Sequence, residues 1–161
     1  MTREQYISVV ESTQRELRRF LVALCCGDSQ LADDIAQETL IKAFIARDSL
    51  ADTSKARSWI FSIAHNTFIS QKRALKPTTD VEEAYSLASP EAGDDAFKYQ
   101  ALYAALDKLP PKERTSTLLF YLEGYAIKEI AAIVGASDDA VRQHLARARQ
   151  HLRAILSPSI A

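Results

Sequence analysis

Tyr6, Val9, Val10, Thr13, Leu17, Phe20, Leu21 and Leu24 recur at three- and four-residue intervals, the spacing that gathers side chains on one face of an α-helix. T-R-E-Q at Thr2–Gln5 has the form of a capping box, in which Thr2 accepts from the Gln5 amide and the Gln5 side chain reaches back. A first helix is therefore predicted from Thr2, ending at Gly27. A second, capped by Asp28 or Ser29 and running to about Arg47, offers Leu31, Ile35, Leu40, Ala43 and Phe44 to a core. DSLADTS (48–54) is turn-rich. A third helix, capped by Thr53 or Ser54, places Ala56, Trp59, Ile60, Ile63, Ala64, Thr67 and Phe68 on one face. It closes at Lys76-Pro77, because the residue before a proline leaves helical geometry. Residues 77–88 have no period and read as a linker. A fourth helix starts near Ser89-Pro90-Glu91 and carries Phe97, Leu102, Ala105, Leu106 and Leu109. Pro110-Pro111 breaks and restarts the chain. A fifth helix runs from about Lys112 to Glu123, ending at Gly124, and two more flank Gly135-Ala136-Ser137. The pattern predicts an all-α fold: two small helical domains, 1–76 and 89–161, joined by the flexible linker 77–88, with a helix-turn-helix in the second.

Composition narrows the function classes. With 161 residues, 47% of them apolar, the chain can build a core, and its four glycines and lack of alternating β-branched runs disfavour sheet. No apolar run approaches the roughly 20 residues that cross a bilayer, and MTREQYISVVES lacks the apolar centre of a signal peptide. A cytoplasmic protein without membrane insertion is expected. Cys25 and Cys26 are adjacent and read as buried thiols. The three histidines lack metal-site spacing. Neither a glycine-rich phosphate loop nor a nucleophile–base constellation is present, so catalytic residues, metal and cofactor are all expected to be absent and the chain is not read as an enzyme.

Charge is unevenly placed. Residues 1–47 carry −1, 48–76 carry +3, 77–98 carry −5 and 99–161 carry +2. Two mildly basic blocks flanking an acidic middle fit two nucleic-acid-facing modules on a solvated linker, although an ordinary acidic loop explains the middle equally well.

The strongest local motif spans Ala126–Arg149. Ile127, Ile130, Ala131 and Val134 form an apolar face, Gly135 permits a sharp turn by tolerating positive φ, and Ser137 is a good cap for the next helix. Val141, Leu145, Ala148 and Leu152 pack back. Ala131, Gly135 and Val141 have the spacing of a helix-turn-helix. Arg142, Gln143, Ala146, Arg147, Arg149, Gln150 and Arg153 face outward. Arginine pairs with guanine edges and glutamine with adenine, and the arginines neutralise phosphates; a solvated basic face is the plain alternative. Asp138 and Asp139 suit the positive end of the helix dipole, worth about 0.3–1 kcal/mol each, and one of them can accept from a cytosine amino group.

These residues carry a family resemblance. LPPKERTSTLLFYLEGYAIKEIAAIVGASDDAVRQHLARARQHL (109–152) resembles the promoter-reading domain of bacterial RNA polymerase sigma factors. ADDIAQETLIKAF (32–44), with Asp34, Gln37 and Glu38, resembles the family's most characteristic helix. ARSWIFSIAHNTFISQKR (56–73) resembles the helix that follows it. Two domains and a short linker match the layout of the extracytoplasmic-function (ECF) group. The family commonly has Gly-Thr where Asp139-Ala140 stand, and a basic residue where His144 stands. These departures bear on base preference and leave the fold unaffected.

The resemblance implies roles. Asp34, Gln37 and Glu38 share one helix face; an acidic stripe repels DNA, and read alone it is either a solvated face or a dock for a basic protein. The resemblance assigns it to core RNA polymerase, at the β′ clamp coiled coil, with the β subunit as a second contact. On the third helix, Lys55, Ser58, Phe61, Ser62, His65, Asn66 and Arg73 become the minus-10 set. Single strands are held by stacking and a positive groove, and the preceding loop (Ser49, Asp52, Thr53, Ser54) with Asn66 would cover a flipped base. Trp59 reads as core, and Phe61 is left open between core and DNA. Arg142, Gln143, Ala146, Arg147 and Arg149 become the minus-35 set. Promoter DNA and an anti-sigma factor are the other implied partners. The acidic linker, with Asp80, Glu82 and Glu83, is read as a mimic of nucleic acid in a basic polymerase channel. A subunit carried to DNA by a large enzyme need not be cationic itself, and two weak readers on one scaffold act at high effective concentration. The competing readings are a stand-alone helix-turn-helix regulator using 109–156 and a helical protein adaptor; the 32–44 helix argues against the regulator.

Overall fold

The first helix, α1 (Arg3–Leu24), begins at its capping box: Thr2 Oγ1 accepts from the Gln5 amide at 3.1 Å and Gln5 Oε1 accepts from the Thr2 amide at 2.8 Å. α2 (Ser29–Ile45) is capped by Asp28, whose Oδ1 accepts from the Leu31 amide at 3.1 Å. The computed structural model describes residues 1–75 and 93–156, with side chains described at 1–73 and 100–156. The Lys76-Pro77 boundary, the linker 77–88 with its acidic residues, the Ser89-Pro90-Glu91 start and the Phe97 side chain lie outside the described residues.

The approach to α3 (Ala56–Leu75) differs from expectation. Thr53 and Ser54 do not cap the helix; Thr53–Lys55 forms a 3-10 turn whose cap is Asp52. Asp52 Oδ1 accepts from the Ser54 amide at 3.0 Å and from its hydroxyl at 2.7 Å. These bonds hold the Asp52 carboxyl below its usual range, the Ser54 hydroxyl being the larger cause. A carboxylate outcompetes hydroxyls for amide donors.

Four helices complete the described fold, which contains no strand: α4 (Gly93–Asp107), α5 (Pro111–Tyr121), α6 (Ile127–Val134) and α7 (Asp138–Leu156). α5 opens with Pro111 in its first turn, where the missing amide costs nothing. Gly135 adopts φ +72, ψ +43 and ends α6. Ser137 Oγ accepts from the Ala140 amide at 3.1 Å and caps α7.

α1, α2 and α3 pack on one another around Leu17, Phe20, Leu21, Leu24, Ile35, Ile60 and Phe68, all buried. α5, α6 and α7 enclose Leu119, Ile130, Ile133, Val141, Leu145 and Ala148, with α4 lying against α7. The all-α architecture with two helical domains is as expected. The halves, however, touch: α5 rests on α1 and α6 on α3, and one apolar cluster runs through both. Two residues expected in the core are at the surface. Leu102 is exposed, and Phe44 is partly so, its ring meeting the edge of Tyr6 at 5.3 Å under the Arg47 guanidinium at 4.0 Å.

Candidate nucleic-acid and polymerase-binding surfaces

On α2, the buried positions Ala32, Ile35, Thr39 and Ala43 face the bundle. Asp34, Gln37 and Glu38 therefore lie on the opposite side. Asp34 and Gln37 are exposed. Glu38 is engaged: Oε2 pairs with Lys42 Nζ at 2.9 Å and Oε1 accepts from Gln71 Nε2 at 3.0 Å. Lys42 chiefly, and Gln71 after it, hold the Glu38 carboxyl below its usual range. Lys42 also donates to Thr67 Oγ1 at 3.2 Å, so this corner is tied to α3. Sequence reasoning missed the continuation of the stripe. Ile41 and Ile45, three and seven residues beyond Glu38, are 56% and 75% exposed. Apolar positions left bare next to a charged stripe ask for a covering partner; their helical register with Asp34 and Glu38 was the available signal.

On α3 the minus-10 set divides in two. Lys55, Asn66 and Arg73 are exposed, and Ser58 and Ser62 are half-buried. Phe61 and His65 are buried. Phe61 packs between Phe20 at 5.1 Å and Tyr125 at 5.7 Å. His65 Nδ1 is hydrogen-bonded to Thr115 Oγ1 at 3.0 Å. Burial first, and the Lys112 charge second, push the His65 imidazole down to about 4. Both residues thus face the C-terminal half. Trp59 is partly buried against the core, as read from its spacing.

α7 presents its basic face. Arg142, Gln143, Ala146, Arg147, Arg149, Gln150 and Arg153 are all exposed, whereas Val141, Leu145 and Ala148 are buried. Arg142 Nη1 pairs with Asp139 Oδ1 at 2.8 Å, and Arg149 Nη1 donates to the Tyr121 hydroxyl at 3.0 Å. Such exposed pairs contribute little stability and break readily for a stronger partner. His144 turns away from this face: it is half-buried, and burial with the Lys112 charge lowers its pKa.

Cys25 and Cys26 are buried, and desolvation pushes the thiols up to about 12 and about 11. Among the described residues no group of His, Cys, Asp and Glu is arranged to hold a metal ion, and no helix is long and apolar enough to cross a membrane.

A helix-turn-helix whose second helix exposes four arginines defines a DNA-binding factor. Comparison with known proteins specifies the kind. The family model "Sigma-70 region 2" matches residues 9–78, and "Sigma-70, region 4" matches residues 99–152. The chain is 32% identical over 143 residues to the ECF RNA polymerase sigma factor EcfG of Rhodopseudomonas palustris, covering 87% of this chain and 78% of that one. It is 27% identical over 157 residues to the ECF RNA polymerase sigma factor SigM of Bacillus subtilis, covering 94% and 95%. Among solved structures it resembles the sigma factor RpoE from Bartonella quintana, crystallised in complex with the anti-sigma factor NepR, with TM-score 0.75, 28% identity, and 92% and 94% of the two chains covered. It also resembles CnrH in complex with the cytosolic domain of CnrY, with TM-score 0.62, 25% identity and 97% of both chains covered. The chain belongs to the sigma-70 family, in the ECF group of RNA polymerase sigma factors: it is a transcription initiation factor that directs core RNA polymerase to promoters. Nothing in these matches supports a stand-alone regulator.

Proposed function

We propose a division of labour between the two domains, with boundaries near 1–76 and 89–161. The α2 face of Asp34, Gln37 and Glu38, extended by Ile41 and Ile45, docks on core polymerase at the β′ clamp coiled coil. The acids meet a basic surface and the isoleucines gain cover from water. Lys55, Ser58, Ser62, Asn66 and Arg73 on and before α3 take the displaced strand of the minus-10 element and assist melting, with Phe61 and His65 joining once the C-terminal half moves away. Arg142, Gln143, Ala146, Arg147 and Arg149 on α7 enter the major groove of the minus-35 element. The chain performs no catalysis of its own and works in the cytoplasm beside its polymerase. The relatives solved with anti-sigma factors support an anti-sigma partner for this chain as well.

The observation that carries this reading is the placement of an acid-and-apolar face on α2 and an arginine face on α7, in different halves of one chain. Its test is transcription in vitro by core polymerase stripped of its own specificity subunit, using genomic fragments and mapping the 5′ ends. New start sites preceded by a shared two-part sequence are expected, and no specific retardation of those fragments by the free chain. Polymerase that initiates no differently with and without the chain overturns the assignment.

A further inference from the structure

The contacts between the halves form a defined seam. Arg114 of α5 is 3% exposed and reaches across to α1, donating from Nη1 to the Leu24 carbonyl at 3.0 Å. Its Nη2 donates to the Asp107 and Leu109 carbonyls at 3.1 and 3.3 Å. A guanidinium at the end of α1 satisfies a terminal carbonyl that helix geometry leaves unpaired. Next along the seam come His65 on Thr115 and Phe61 on Tyr125. Beyond them lies Glu123, in the connection from α5 to α6. Its side chain is fully covered and sits between arginines of two N-terminal helices: Arg19 Nη2 at 2.9 Å and Nε at 3.3 Å, and Arg57 Nη2 at 3.5 Å. Arg57 also lies over the Tyr125 and Phe61 rings, at 5.1 and 5.5 Å.

This seam has the character of an interface that separates. It is held by ion pairs and single hydrogen bonds as much as by apolar packing. The Tyr125 hydroxyl and Glu16 Oε2 are buried with no hydrogen-bond partner among the described residues, and such groups regain their hydration when a seam opens. Interfaces between domains that move are more polar than permanent ones.

The geometry also conflicts with promoter reading. Elements centred near positions −10 and −35 lie roughly 25 base pairs apart, about 85 Å along B-DNA. A domain of the C-terminal half's size has a radius of gyration of about 11 Å. In contact with α3, it cannot place α7 at the far element. The covalent chain from Leu75 to Gly93 is long enough for about 60 Å, so the halves can part without unfolding.

We propose that the closed packing is the resting state of the free chain and an internal block on promoter reading, with Glu123 as its latch. The C-terminal domain covers the Phe61 and His65 side of α3 until engagement with polymerase draws the two readers apart. This inference rests on the two-reader assignment above.

The test uses the full chain. Small-angle X-ray scattering on the free protein should give a radius of gyration of about 15–17 Å, as for one body of this length; a value well above about 20 Å overturns the closed resting state. Glu123→Lys should raise the radius and speed native-state labelling of Cys25 and Cys26 by Ellman's reagent at least about tenfold, because both thiols lie beside Arg114 at the seam. The variant Arg19→Glu/Arg57→Glu/Glu123→Lys, which restores the pair with charges exchanged, should return labelling to within about twofold of the natural chain. Unchanged labelling and radius in Glu123→Lys, with its helical circular dichroism intact, remove Glu123 as the latch. Should Glu123→Lys lose helix, the scattering of the natural chain still decides whether the resting state is closed. Core polymerase binding is measured separately on each chain: if none binds, the promoter-reading assignment fails while the compactness result stands by itself.

Discussion

Two arginines of the C-terminal half are chemically alike and perform opposite tasks, and their surroundings distinguish them. Arg114 is buried and donates to three carbonyls, those of Leu24, Asp107 and Leu109. Each of these acceptors loses its partner if the guanidinium is removed, and leaving buried groups unpaired is the expensive outcome. Arg114→Met should cost about 3 kcal/mol of stability, read from the urea midpoint of the full chain. Arg147 is exposed on α7 and has no such duties. Arg147→Ala should leave the urea midpoint within about 0.5 kcal/mol of the natural chain. It should weaken discrimination at one upstream promoter position by about 1–3 kcal/mol, the worth of a lost bidentate base contact. Competition transcription with single-base promoter variants measures this, and core polymerase binding should not change.

At the scale of helices, α2 shows what local pattern conveys and what it misses. Asp34 and Gln37 are the clean probes of its outer face, because Glu38 is already held by Lys42 and Gln71. Asp34→Lys/Gln37→Lys should reduce core polymerase association at least about tenfold through charge repulsion across the interface, with helical circular dichroism retained; undiminished association refutes the docking face. That face, the capping box at Thr2 and the turn at Gly135 were legible in the residues, because each is settled within four to seven positions of chain. The Asp52 cap was not distinguished from Thr53 and Ser54, since all three are good caps and only the geometry of the turn selects one. Burial on a second side of α3 was not legible. Phe61 and His65 are covered by Tyr125 and Thr115, some fifty to sixty residues away, and the period of α3 alone reports the side that faces α1 and α2. The same holds for α5, where Glu113, Arg114, Thr115, Ser116 and Thr117 are all buried. Their polarity argues for solvent exposure until the opposing surface is known.

Across the whole molecule, the seam couples protonation to shape. His65 is buried against Thr115, with Lys112 as the charge that acts on it, and its pKa falls to about 4 from an ordinary 6.5. The closed fold keeps it neutral, whereas an opened or unfolded chain takes up a proton below pH 6.5. Stability conferred by the closed fold is therefore intact above pH 6.5 and declines as pH drops toward 4. Between pH 7 and pH 5 the loss should be about 2 kcal/mol. His144, whose pKa is also lowered, adds to the same slope. The lowered carboxyls of Glu38 and Asp52 release their contribution only at lower pH, below the ordinary carboxylate values of 4.5 and 3.8. Opening the seam hydrates His65 without unfolding either half, and the seam is the weaker structure. Acidification to pH 5 should therefore enlarge the radius of gyration while helical circular dichroism is largely kept. His65→Asn, which keeps a polar group beside Thr115 and cannot titrate, should remove most of this expansion and flatten stability between pH 5 and 7, leaving the smaller slope of His144. An unaltered pH dependence in His65→Asn would mean that the proton is taken up elsewhere and that His65 does not couple acidity to opening.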